Sequence, residues 1–345
     1  MASAGRLLTG SRAFYPAAAL YAAAFLPISI LAMGVRGPLW HAHEMLFGFA
    51  LAVVAGNQLG TLTGGRLYAL VAAWAAARVA FLAAPGSLAA GALNVAFAAL
   101  LALHAAPRLF GAAKKWRNQA LPATLVALCA AVIAFHFFSL GFQPAVLLLA
   151  LLMLFMGGRL VAPAVAGQLE RQGLRLAARV QPRIEGALIL AMALAVLASL
   201  FSEMNLVLGG LCVLAGVLAA VRLWRWRLWA LRGRPDLVCL ASGYAWLAAG
   251  LVVYGVLRDT VALHFITVGA LGTLTFNVMA LAWLLKARRD PARSRLVVWG
   301  TALIAAAALG RAAGEYLAAA LAWSLAFTLL LALFAVSRRP RAATG

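Results

Sequence analysis

Twelve long apolar stretches, joined by short polar connections, constrain the fold of this chain more than any other feature. Each is close to the 17–25 residues, roughly, that a helix needs to cross the hydrocarbon core of a bilayer. Only helices and closed barrels satisfy every backbone hydrogen bond inside lipid, and these Ala-Leu-rich runs lack the alternation of a membrane barrel. The stretches lie at about residues 13–34, 40–62, 67–84, 88–106, 120–140, 143–165, 184–201, 205–221, 237–257, 261–285, 295–314 and 316–336.

The composition agrees with this pattern, since 66% of the 345 residues are hydrophobic and 11% are charged. Such a chain buries its apolar surface in lipid rather than in one oversized core. We therefore predict an all-α fold: a polytopic transmembrane helix bundle of about 12 helices, with the lipid bilayer as its partner. No linker or low-complexity segment divides it, so residues 1–345 are interpreted as a single integral-membrane domain.

The positive charge is distributed unevenly across the predicted membrane. The net charge is +21, from 29 Lys and Arg against 8 Asp and Glu. Of the basic residues, 24 fall on the side that holds both chain ends, whereas the opposite connections hold only Arg36 and Arg258. Basic loops remain in the cytoplasm, so both termini are predicted to be cytoplasmic. The charge is thus explained by topology, and we do not predict nucleic-acid binding.

Ionisable side chains are scarce in the apolar stretches, and His41, His43 and Glu44 lie together at the start of the second one. The predicted topology places His41, His43, His264 and His136 at one depth, near the outer face. Such residues beside hydrocarbon tend to mark ion paths, proton relays or cofactor sites, and neutral imidazole is a common metal ligand. His41, His43 and His264 are therefore candidate metal ligands.

Helix geometry limits how these candidates combine. Residues two apart on a helix point roughly 200° apart, so His41 and His43 are not expected to chelate one metal on a regular helix. His41 and Glu44, three apart, share a face. If His264 shares a site with either histidine, the second and tenth helices must be neighbours. His104 and His136 are interpreted first as interfacial side chains bonded to water or a carbonyl.

Two arginines within the apolar stretches allow two interpretations. Arg78 and Arg311 are either neutralised by a partner or snorkel to the interface, or they bind an anionic group such as a haem propionate. The second interpretation makes both of them candidate cofactor-binding residues, together with Glu44.

Several motifs in order along the chain resemble those of a known family. Residues 40–49, Trp-His-Ala-His-Glu-Met-Leu-Phe-Gly-Phe, are similar to the signature of the NnrS family of bacterial inner-membrane proteins. Further similarities are Arg12 with Phe14-Tyr15, Trp116-Arg117-Asn118, Gly157-Gly158-Arg159, Arg225-Trp226-Arg227, Gly243-Tyr244-Ala245-Trp246, residues 264–272 with Val278-Met279, and Arg311.

The resemblance implies a twelve-helix, multi-pass protein of the bacterial inner membrane. It also implies binding of haem b, and of copper, in a response to nitric oxide stress, with nitric oxide as a small ligand. The chain departs from the family at the end of the tenth stretch, where residues 280–285, Ala-Leu-Ala-Trp-Leu-Leu, stand in place of a Gly-His-Thr-Gly-Arg segment. One family histidine is therefore missing, which bears on copper in particular.

Two functions remain open from the sequence. The first is a redox-cofactor protein that uses His41, His43 and His264 around haem b, with or without copper. The second is a transporter or permease in which the same histidines and Glu44 relay protons or bind substrate. Inverted repeats or broken helices would favour transport, and no convincing repeat is visible.

Overall fold

The structure is a computed structural model that describes residues 8–338. Twelve helical segments account for most of these residues, and no strand occurs among them. The all-α prediction of about 12 helices is therefore confirmed. By length and composition, eleven of the segments can cross a membrane. The remaining one, Pro182–Ala198, is shorter, at 17 residues.

Two compact units divide the chain, residues 1–142 and 143–345. The first holds five segments: α1 (Gly10–Leu31), α2 (Met33–Gln58), α3 (Gly65–Ala83), α4 (Leu88–Ala112) and α5 (Trp116–Phe138). Within this unit α1 packs along α2, and α4 packs against both α3 and α5. The prediction of a single domain over residues 1–345 stays a prediction.

The second unit holds the other seven segments. They are α6 (Gln143–Arg171), α7 (Pro182–Ala198), α8 (Asn205–Trp224), α9 (Pro235–Leu257), α10 (Thr260–Lys286), α11 (Arg295–Ala312) and α12 (Tyr316–Arg338). The α9 segment contacts α6, α8, α10 and α11, and the α10 segment contacts α6, α9, α11 and α12.

Three segments change from α to π geometry along their length. The π-helical parts are Glu44–Ala50 in α2, Gly157–Val161 in α6 and Phe265–Gly272 in α10. These same segments are the most buried within the protein, at 78%, 78% and 72%, against 61% or less for the other eight candidate spans. Short π-segments occur frequently at functional sites. Each one here begins at, or directly after, a motif of the sequence: His43-Glu44, Gly157-Gly158-Arg159 and His264.

The orientation in the membrane can be tested directly. Reporter fusions after Arg117 and after Lys286 should both report the cytoplasm, because basic connections are retained on that side. A fusion between Leu257 and Val261, in the connection from α9 to α10, should report the outer side. Opposite results at two of the three positions would contradict the predicted topology. The termini, for which a cytoplasmic position is also predicted, lie outside the described residues.

Candidate cofactor site

The centre of the first unit is a pair of adjacent residues at the change from α to π geometry in α2. His43 is the last residue of the α-helical part and Glu44 the first of the π-helical part. His43 Nδ1 lies 2.8 Å from Glu44 Oε1, and both side chains are fully buried. An ionised carboxylate only accepts hydrogen bonds, so Nδ1 carries the proton and donates it. The lone pair of His43 is thereby directed to Nε2.

The lone pair of His43 Nε2 points to His136, near the end of α5. Its Nε2 lies 3.0 Å from His43 Nε2, although the two residues are 93 positions apart. The His43 ring is stacked on Phe81, with centroids 3.5 Å apart and an angle of 13° between the planes. Phe135 and Phe47 lie against other sides of the same ring. The aromatic surroundings hold the imidazole in one orientation, and His136, which is half-buried, forms the more accessible side of the pair.

Glu44 is held by side chains from two further helices. Arg78 of α3 donates from Nη1 to Glu44 Oε1, and Tyr21 of α1 donates its hydroxyl to Oε2. Arg78 in turn donates from Nη2 to Asn94 of α4, whose amide nitrogen bonds to the Ala90 carbonyl at 2.9 Å. All five helices of the first unit therefore contribute a side chain to one hydrogen-bonded cluster. We call Tyr21, His43, Glu44, Arg78, Asn94 and His136 the His43 cluster.

Gly48 allows this cluster to lie against the backbone of the π-helix. A Cβ atom at position 48 would stand 2.8 Å from Arg78 Nη1 and 3.1 Å from Glu44 Oε2, so any larger residue would displace the ion pair. The Gly48 carbonyl also accepts a hydrogen bond from Trp74 Nε1 at 2.9 Å. This bond links the π-segment to α3, the helix that carries Arg78.

The charges within the cluster are balanced locally. Glu44 is the only Asp or Glu in residues 1–142, and its partner Arg78 is 4% exposed. A carboxylate without a partner would be costly at such a position, and the contact with Arg78 offsets part of that cost. Both Nη atoms of Arg78 are engaged, which supports the interpretation of Arg78 as half of a neutralised pair. Its Nε is buried without a hydrogen-bond partner among residues 8–338.

His41 lies two residues before His43 but makes different contacts. Its Nδ1 is 2.8 Å from the hydroxyl of Ser29 in α1. Ser29 also donates to the Leu26 carbonyl at 2.7 Å, so the hydroxyl proton is already used and His41 Nδ1–H is the donor to the serine oxygen. His41 therefore helps to connect α1 and α2.

The second unit contains the remaining predicted ligand, His264, directly before the π-segment of α10. Its Nδ1 lies 2.5 Å from the Thr260 carbonyl, which fixes the proton on Nδ1 and leaves the lone pair on Nε2. The short stretch Thr260–His264 packs against α11, the helix that carries Arg311. The Arg311 guanidinium lies over the ring of Tyr316, 4.6 Å from its centroid.

Of the predicted site residues, the structure brings His43, Glu44 and Arg78 into direct contact. His264 and Arg311 lie in the second unit, and a shared site between His264 and His41 or His43 stays a prediction. The sequence interpretation of His136 as an interfacial side chain missed its contact with His43. It also missed two further members of the His43 cluster, Tyr21 and Asn94. Within residues 8–338, no group of three or more His, Cys, Asp or Glu side chains is arranged to hold a metal ion.

A bundle of apolar helices with a buried histidine–carboxylate–arginine cluster defines a multi-pass membrane protein with a polar site inside its first unit. The family model described as "NnrS protein" matches residues 7–341, nearly the whole chain, so this protein belongs to the NnrS family. The resemblance to the NnrS family found in the sequence is thereby confirmed. No curated protein and no solved structure matches the chain.

Proposed function

We propose that this protein is a cofactor-binding protein of the bacterial inner membrane that acts in the response to nitric oxide stress. In this proposal it binds copper at His43 and His136 and haem b at His264. The observation that carries the proposal is the buried arrangement in which Glu44 orients His43 and directs its Nε2 to His136. A carboxylate on the far nitrogen of a histidine is the usual companion of a metal-ligating imidazole, because it fixes the tautomer and raises ligand basicity.

The spacing of the two imidazoles supports a single metal ion. Two nitrogens bound about 2.0 Å from one ion at a tetrahedral angle lie about 3.3 Å apart. The observed 3.0 Å between the Nε2 atoms of His43 and His136 is close to that value. Imidazole ligands suit copper, and no thiolate is needed. With two histidines, the ion would keep positions open for a small ligand such as nitric oxide.

The same spacing does not fit haem between these two histidines. Axial imidazoles on opposite sides of a haem iron place their nitrogens about 4 Å apart, with the macrocycle between them. The His43 ring is also already covered by Phe81. His264 would hold the haem instead, since its Nδ1 is bonded to the Thr260 carbonyl and the lone pair of its Nε2 would be available to the iron. In this proposal Arg311 is the candidate for a propionate, whereas Arg78 serves to hold Glu44.

The protein's own residues prepare the His43 site in three ways. Glu44 keeps the proton of His43 on Nδ1, so that Nε2 always carries a lone pair. Arg78 and Tyr21 keep Glu44 ionised and immobile, because each donates a hydrogen bond to it. The phenyl rings around His43 exclude water from its buried face. A copper ion held by His43 and His136 would supply the coordination position at which nitric oxide binds.

A second candidate function, proton-coupled transport, is favoured by one feature of the same cluster. Tyr21, Glu44, His43 and His136 form a continuous hydrogen-bonded chain from a buried carboxylate to a half-buried imidazole. Chains of acidic and histidine side chains relay protons in pumps and transporters. In that case the pair of Nε2 atoms shares a proton, and no metal is required.

An absorption spectrum of the detergent-purified, full-length protein separates the two functions. Protein produced with ample haem should show a Soret band, and no covalent attachment is expected because the chain lacks a Cys-x-x-Cys-His motif. His264→Ala should abolish or strongly reduce the band, because it removes the axial ligand. The matched control is His104→Ala, whose Nδ1 is likewise bonded to a carbonyl one turn earlier. It should leave the band intact, and a folded wild-type protein without any Soret band would favour transport.

A further inference from the structure

A polar cleft lies in the first unit and shares no lining residue with the His43 cluster. It is formed by the connection between α2 and α3 and by the last turns of α4, and its volume is about 570 Å³. The polar side chains that line it are Thr61, Thr63, Arg66, His104 and Arg108. Four of these five are donors to an anion without any change of protonation, namely two hydroxyls and two guanidinium groups.

The positive charge of this cleft has no counterpart in its own unit. Arg66 and Arg108 are both exposed. Glu44, the one Asp or Glu in residues 1–142, is bonded to His43, Tyr21 and Arg78. No carboxylate of the first unit is therefore available to neutralise the two arginines. Two guanidinium groups beside one cleft repel each other unless an anion lies between them.

Arg108 is fixed in place by the connection between α2 and α3. Its Nη2 donates to the carbonyl of Gln58, at the end of α2. Gly60 has φ +59°, and a Cβ atom there would stand 2.4 Å from Arg108 Nη1. The absence of a side chain at position 60 thus allows the guanidinium to lie against the backbone. A donor held in this way loses less conformational entropy on binding than a free surface arginine.

The start of α3 adds backbone donors on the same side. This helix begins at Gly65, and its N-cap residue Gly64 offers no side-chain cap. No atom lies within 4 Å of the position that a Cβ would take at either glycine, so the backbone is accessible. The first N–H groups of a helix lack partners within the helix and attract anions. The cleft therefore combines fixed charge, hydroxyl groups and a helix N-terminus.

We propose that this cleft binds a phosphate group through Arg66, Arg108 and the hydroxyls of Thr61 and Thr63. Guanidinium groups match the geometry of phosphate oxygens, and an exposed cleft of this size accepts a phosphate with part of its carrier. The carrier is either an anionic phospholipid, whose headgroups lie at the helix ends, or a soluble phosphate of the cytoplasm, the side predicted for this connection. This inference is independent of the metal and haem sites proposed above.

The test uses the full-length protein with two probes. Titration calorimetry in detergent measures binding of inorganic phosphate. Native mass spectrometry measures phosphatidylglycerol retained after release from bilayers of phosphatidylglycerol and phosphatidylcholine. The variant Arg66→Gln/Arg108→Gln should weaken whichever probe binds by about tenfold or more per arginine, because each substitution removes a charge-assisted hydrogen bond to the phosphate. The matched control, Lys114→Gln/Lys115→Gln, removes two exposed charges from the neighbouring connection and should change binding less than about twofold.

The result also identifies the carrier. Retention of phosphatidylglycerol over phosphatidylcholine, without phosphate binding in detergent, indicates a lipid headgroup. Phosphate binding in detergent indicates a soluble ligand. Binding of neither probe, or equal losses in the arginine and lysine variants, overturns the proposal. If the double arginine variant does not fold, Thr63→Val keeps every charge and nearly the same volume. It should still weaken binding severalfold through the lost hydroxyl, and unchanged binding would then overturn the proposal.

Discussion

Replacing Arg78 with Met should destabilise the protein by about 3–5 kcal/mol, because it leaves a buried carboxylate without its partner. Glu44 is fully buried and Arg78 is 4% exposed, so water cannot take over the role of the lost guanidinium. Asn94 would lose its donor as well. The measurement is the unfolding midpoint of purified protein in one detergent, followed by the fluorescence of tryptophan.

The double variant Arg78→Met/Glu44→Gln distinguishes this cause from a general loss of packing. It removes both charges, so it should recover most of the stability that Arg78→Met loses. Lys114→Met, which removes one exposed charge from the same unit, should alter stability by less than about 0.5 kcal/mol. A double variant no more stable than Arg78→Met would mean that the arginine acts through its packing rather than through its charge.

The proposed copper site predicts the second large effect, a change in copper content. His136→Ala and His43→Ala should each reduce bound copper to a small fraction of the wild-type content, because either change leaves one imidazole where two are needed. Glu44→Gln should retain copper but lower its affinity by about 10–100-fold, the usual effect of losing a partner that orients a ligand. The measurements are elemental analysis of purified protein and competition with a copper(I) chelator.

His41→Ala is the informative control for this experiment. The sequence marks His41 and His43 equally as metal ligands, whereas the structure places His41 Nδ1 on Ser29 and His43 opposite His136. Copper should therefore survive His41→Ala. Loss of copper in His41→Ala together with full retention in His136→Ala would contradict the proposed pair.

The fold was predictable because its determinants are local. Each membrane helix is visible as one uninterrupted apolar stretch, and backbone hydrogen bonding in lipid leaves few other conformations. The same locality explains why residues 40–49 were recognisable as a site, since His43 and Glu44 are adjacent in sequence. A regular helix nevertheless predicts the wrong relation between them, because neighbouring side chains point about 100° apart. The observed contact between them occurs at a change to π geometry.

The other members of the His43 cluster could not be identified from local patterns. Tyr21, Asn94 and His136 come from three different helices, and each is an isolated polar residue in its own apolar stretch. Only their depth relates them to His43: the predicted topology put His136 level with it. Matching depth across helices is therefore the signal that could have found them. It indicates which residues can meet, but not which helices are neighbours.

The change from α to π geometry at Glu44 also affects how this sequence tolerates insertions and deletions. A π-segment arises when one extra residue is accommodated within a continuous helix. Each residue turns a helix by about 100°. Removal of one residue from Glu44–Ala50 would therefore rotate the rest of α2 by about that angle relative to His43. The Gly48 side of α2 would then face away from Arg78 and Trp74. The length of this segment is thus part of the site, as much as the identity of its residues. In alignments within the family, a gap between residues 44 and 50 would indicate that the contacts of the His43 cluster differ, even where the histidines are retained.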